Sequence, residues 1–118
     1  MILNVQKIAE QLQKFATERD WDQFHTPKNI ATSISVESAE LLELFQWTRG
    51  QKDWNEISEV EVKEKIENEV ADILLYLIRF ADLAKIDLEK VALRKIELNA
   101  KKYPIETSKG SDKKYNEK

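Results

Sequence analysis

The chain has 118 residues, a formal net charge of −3, and 42% hydrophobic against 35% charged residues. At this length one domain is the default, and such a mix suits amphipathic helices with wet outer faces. Two Gly and two Pro leave little turn chemistry for an all-β fold, the lack of cysteine excludes disulfides and thiolate metal sites, and a pI near 5.3 argues against nucleic acid as a partner.

Ile2, Val5, Ile8, Ala9, Leu12, Phe15 and Ala16 recur at helical spacing and predict a first helix ending near Glu18. The opening stretch MILNVQKIAEQLQKF turns polar too soon for a signal peptide, and no apolar run reaches the ~18 residues a membrane span needs. The expectation is a cytoplasmic protein without a membrane partner. RDWDQFHTPKN then breaks the period, and Thr26 before Pro27 is a start signal, because proline is tolerated at the first helical position. The second helix carries Ile30, Ile34, Leu41, Leu44 and Phe45 and fades near Trp47; Gly50 marks a connection. Ser58 with Glu61 forms a candidate capping box for a third helix bearing an apolar stripe of Val62, Ile66, Val70, Ile73, Leu77 and Phe80. After a break at residues 85–87, a fourth helix carries Val91, Leu93, Ile96 and Ala100 and stops at Tyr103 before Pro104. The domain is read as residues 1–104, an all-α bundle, with 105–118 as a polar, flexible tail.

Two acid pairs stand beside the buried stripes. With Ile34 at zero and about 100° per residue, Glu37 lies about 60° and Glu40 about 120° to one side. With Ile66 at zero, Glu69 and Asp72 take the same offsets to the same side, about 60° and about 120°. ENEVADILLYL thus repeats the layout of ESAELLELFQW, and antiparallel packing would bring the two edges together. Acid pairs at this spacing also occur on plain solvated faces, and Glu43, Glu61, Glu64 and Glu67 point outward in that way. Converging carboxylates would have to take up protons or a cation, and an all-oxygen cluster suits Mg²⁺ or Mn²⁺. A di-iron site wants Glu-x-x-His on two helices, and the one histidine, His25, lacks that spacing.

Trp21, Phe24 and His25 cluster in the first connection, Trp47 lies on the acid side of the second helix, and Tyr76 follows Asp72 by one turn. Such rings can stack a nucleobase, and they can equally complete a core or an interface. Lys95, Asn99 and Lys102 share one face of the fourth helix, suited either to phosphate oxygens or to solvent. Lys114 and Tyr115 in the tail could fold over a ligand.

E-S-A-E (37–40), E-V-A-D (69–72) and K-I-E-L-N-A-K-K-Y-P (95–104) together resemble the MazG-like all-α nucleoside triphosphate pyrophosphohydrolases. F-A-T-E-R-D-W-D-Q-F-H-T-P-K-N (15–29) and E-L-F-Q-W (43–47) resemble their dCTP pyrophosphatase branch more narrowly. The resemblance implies a four-helix MazG-like bundle assembling as a homodimer or homotetramer. It implies Mg²⁺-dependent conversion of a deoxynucleoside triphosphate, dCTP or a related one, to the monophosphate and pyrophosphate. By position, Glu37, Glu40, Glu69 and Asp72 would bind metal, with Glu37 or Glu40 taking the proton of the attacking water. Trp21, His25, Trp47 and Tyr76 would line the base and sugar pocket, and Lys95, Asn99 and Lys102 would contact phosphates. Leu12 stands where mammalian members carry a pocket histidine, which leaves the base preference open, and Lys102 stands where arginine is common. The alternatives are a same-fold enzyme on another nucleotide, such as phosphoribosyl-ATP, and a non-catalytic helical interaction module.

Overall fold

The computed structural model describes residues 2–50, 54–57 and 60–113. Every regular element among them is helical: α1 (Val5–Glu18), α2 (Pro27–Glu43), α3 (Val60–Ala84), α4 (Leu88–Lys102) and the single turn α5 (Ile105–Ser108), with 3-10 turns at Asp22–Phe24 and Asn55–Ile57. The all-α expectation holds. No helix among the described residues is long and apolar enough to cross a membrane.

Local chemistry sets the helix starts. The Asn4 side chain accepts from the Lys7 amide at 3.0 Å and caps α1. The helix therefore begins at Val5, and Ile2, expected on its apolar face, lies outside it and is almost fully exposed. Thr26 caps α2 by accepting from the Asn29 amide, with Pro27 in the first turn as the sequence predicts. At its far end α2 stops at Glu43, short of Trp47. Leu44, Phe45 and Gln46 donate to carbonyls three residues back, so the last turns tighten and the α-helix cannot continue. Asp87 caps α4 through the Lys90 amide. Lys85 just before it adopts a left-handed backbone, φ 61°, which breaks the chain direction after α3. The expected Ser58 cap lies outside the described residues. Within the segment read as a polar tail, residues 105–108 form α5.

Met1–Ala84 make one compact unit and Lys85–Lys118 a second. In the first unit α3 packs against both α1 and α2. That double contact corrects the simple stripe expected on α3. Val70 and Leu77, near the middle of the stripe, are 49% and 42% exposed, whereas Ile78, Arg79 and Ala81 are buried. The remaining stripe residues Val62, Ile66, Ile73 and Phe80 are half-buried, and the second partner adds buried positions beside them. The rest of the unit's core comes from Ala9 and Ala16 of α1 and Ile30 of α2; the small alanines let α1 approach closely. In the second unit α4 leaves Leu93 and Ile96 exposed, while Val91 is half-buried.

Candidate active site

The α2–α3 pair is antiparallel in its contacts. Pro27 and Ile30 from the start of α2 share a cavity with Phe80, Leu83 and Ala84 from the end of α3, while Glu37 and Glu40 further along α2 meet Glu69 nearer the start of α3. One carboxylate oxygen from each of Glu37, Glu40 and Glu69 lies within 4.8 Å of the others. Asp72 completes the set electrostatically, since its charge acts on both Glu37 and Glu69. Glu37 and Glu69 are half-buried, and each keeps an Oε2 that is shielded from solvent and makes no hydrogen bond.

This crowding perturbs the acids. Burial first, then hydrogen bonds shared with Glu40 and Glu69 and repulsion from Glu40 and Asp72, push the Glu37 carboxyl up to about 7. Glu69 is raised as well, by burial first and then by Glu40 and Asp72. Crowded carboxylates without a counter-charge form a site a hard divalent cation fits: all-oxygen donors, net negative, with two buried oxygens lacking partners.

The aromatic residues come from three different elements. Trp21 packs edge-on against Phe15 at the end of α1, with ring centroids 5.6 Å apart. Tyr76 is half-buried on α3, one turn beyond Asp72. Trp47 is 89% exposed in the turns after α2. Lys95, Asn99 and Lys102 all lie on α4, exposed, at spacings of a helical face.

His25 is held by a residue that sequence reading passed over. Arg79, only 3% exposed, donates from Nε to His25 Nδ1 at 3.0 Å, from one terminal nitrogen to Gln13 Oε1 at 2.7 Å, and from the other to Asp22 Oδ1 at 2.7 Å. Gln13 in turn donates to Asp22 at 2.9 Å and to Thr17 at 3.0 Å. The Gln13 bond first, and the Arg79 cation with it, hold the Asp22 carboxyl below its ordinary value against burial. The one available signal was a lone basic residue between Ile78 and Phe80, in an α3 segment otherwise free of Lys and Arg from Ile66 onward.

Residues 32–117 match the MazG-like family. The chain belongs to that family. Among relatives, the MazG-like chain is 37% identical over 102 residues to dCTP pyrophosphatase 1 of Bos taurus, covering 86% of this chain and 60% of the bovine protein. It is 36% identical over 108 residues to dCTP pyrophosphatase 1 of Homo sapiens, covering 88% of this chain and 61% of the human one. The chain thus spans less than two thirds of the length of these curated relatives. A crystal structure of a pyrophosphatase from Archaeoglobus fulgidus superposes with a TM-score of 0.73 at 42% identity, covering 88% of this MazG-like chain and 95% of that one.

Proposed function

We propose that this MazG-like chain is a nucleoside triphosphate pyrophosphohydrolase that converts dCTP, or a related deoxynucleoside triphosphate, to the monophosphate and pyrophosphate. Relatives named dCTP pyrophosphatase and pyrophosphatase support the reaction class. The observation that carries the reading to particular residues is the acid cluster: three carboxylate oxygens within 4.8 Å, two of the acids with buried, unpartnered oxygens. Glu37, Glu40, Glu69 and Asp72 would hold Mg²⁺, or Mn²⁺ in its place. The bound cation supplies neutralisation of the triphosphate charge and polarisation of its phosphorus.

The chain's own groups do the rest. Glu37 or Glu40 accepts the proton of a water whose oxygen attacks the α-phosphorus. The bond from that phosphorus to the bridging oxygen breaks, and pyrophosphate leaves with the electron pair. Trp21, His25, Trp47 and Tyr76 are proposed to serve the base and sugar, by the family pattern. Lys95, Asn99 and Lys102 present cationic and amide donors of the kind phosphate oxygens bind. Removal of unwanted nucleotides from the cytoplasmic pool is the role proposed. Self-association as a homodimer or homotetramer is proposed from the uncovered apolar residues of α3 and α4.

The test is to incubate the protein with each dNTP and NTP, with Mg²⁺ or with EDTA, and resolve the products by ion exchange. Mg²⁺-dependent monophosphate plus pyrophosphate, fastest with dCTP, is the expected result. Intact nucleotides in the presence of folded protein and either Mg²⁺ or Mn²⁺ would overturn the reading.

A further inference from the structure

A cavity of about 190 Å³ opens beside the His25 ring, lined by His25, Pro27, Ile30, Phe80, Leu83 and Ala84. Its walls are apolar apart from the imidazole. Pockets for drug-sized ligands start at roughly 300 Å³, so this one admits a single ring rather than a whole nucleotide. It lies on the same helix pair as the acid cluster. Ile30 precedes Glu37 by seven residues, about 10 Å along α2, and Phe80 follows Asp72 by eight, about 12 Å along α3. An extended substrate with a ring at one end and phosphates at the other can bridge such a separation.

The hydrogen bonds of Arg79 determine what His25 offers that cavity. A guanidinium has only donors, so the ring nitrogen facing its Nε, Nδ1, must carry a lone pair. The proton of the neutral ring then sits on Nε2, which makes no hydrogen bond among the described residues. Protonating Nδ1 would break the Arg79 bond and set two cations 3.0 Å apart inside the protein. The groups facing the ring are Arg79 from α3, which opposes a second positive charge, and Asp22 from the neighbouring turn, which favours one; Gln13 of α1, on the same guanidinium, is neutral. Burial first and Arg79 next outweigh Asp22, and the ring's proton affinity falls below the ordinary value.

We propose that Arg79 is a positioning residue that fixes His25 as a neutral Nε2–H donor, so that the cavity reads an uncharged acceptor on a nucleobase, a carbonyl oxygen or ring nitrogen, and not a phosphate. A phosphate-binding histidine gains from becoming a cation, which Arg79 prevents here. The inference deepens the proposed function and rests on it for the ligand class; the tautomer stands or falls without any nucleotide.

Because the chain has one histidine, long-range ¹H–¹⁵N NMR of the full protein reads this ring alone. In the nucleotide-free protein the expected spectrum shows an unprotonated Nδ1 and a protonated Nε2. On lowering the pH the ring gains its second proton only below the range in which a free histidine titrates. Arg79→Lys keeps the cation for Asp22 but loses the Nε donor; its ring should populate both tautomers and regain an ordinary titration. Should that variant not fold, the wild-type spectrum still decides the tautomer. Adding dCMP should move the Nε2 signal, and inorganic triphosphate should leave it in place. His25→Phe should raise the KM for dCTP about tenfold with kcat nearly unchanged, the effect of losing one binding hydrogen bond. A proton on Nδ1, or an ordinary titration of the wild-type ring, overturns the role of Arg79. An Nε2 signal moved by triphosphate alone, or by no nucleoside monophosphate, overturns the ligand assignment.

Discussion

At Glu37 a carboxyl whose proton affinity rises from 4.5 to about 7 makes the metal-free protein sensitive to pH. Between those two values the folded state binds more protons than the unfolded one, so stability falls as pH rises through the window. The contribution is complete below the ordinary glutamate value and gone above the raised one. Melting curves in EDTA at successive pH values for wild type and Glu37→Gln check this, because the opposite contribution of His25, whose proton affinity is lowered, is common to both; a pH trend unchanged by the substitution would contradict it. Mg²⁺ should reverse the trend at neutral pH by replacing the proton. A cation bound only to the folded state adds about 2.7 kcal/mol when free metal is about 100 times Kd. Glu40→Gln removes a negative neighbour from Glu37. The variant should therefore melt higher than wild type in EDTA at neutral pH and gain less from Mg²⁺. Thermal melts with and without the metal separate the two effects, and a variant that melts lower in EDTA would show that Glu40 is not a repulsive neighbour. The acid pairs were legible in the sequence because the helical period places them without reference to anything distant. Arg79 was not. Its partners come from α1 and the turn after it, and Gln13 stands 66 positions away, so only the fold shows why a buried cation is tolerated.

Among the elements, α2 and α3 carry both the acids and the cavity, and their contact decides the geometry of the site. Ile78 on α3 is the largest side chain wholly shielded from solvent. Ile78→Ala removes apolar contact and leaves a cavity, and should destabilise by about 2–5 kcal/mol in urea unfolding. A loss well under 1 kcal/mol would mean that the core around α3 is not packed as described. Starts of helices read well from sequence, as at Thr26 and Pro27, because a cap is a contact between residues a few positions apart. The end of α2 read less well: apolar residues continue to Trp47, but their backbone turns tighten after Glu43. Periodicity found only part of the buried side of α3. It finds one apolar line, whereas α3 meets two helices and leaves Val70 and Leu77 open.

For the whole molecule, each unit leaves large apolar residues exposed: Leu42, Val70 and Leu77 in the first, Leu93 and Ile96 in the second. A second copy is the partner proposed, and sedimentation velocity at micromolar concentration should show a dimer or larger species; a monomer throughout would remove that proposal. The all-α class and the family were both within reach of the sequence, because its motifs are local and ordered along the chain. How the chain assembles was not, since an exposed apolar face states only that something covers it. The α2–α3 carboxylates are proposed to carry a metal-dependent hydrolysis. The most direct test is pyrophosphate release from dCTP in Mg²⁺ by Glu40→Gln beside the wild type, with both melting curves recorded. The expected result is a folded variant that has lost nearly all turnover. A folded Glu40→Gln protein that releases pyrophosphate at the wild-type rate would contradict it.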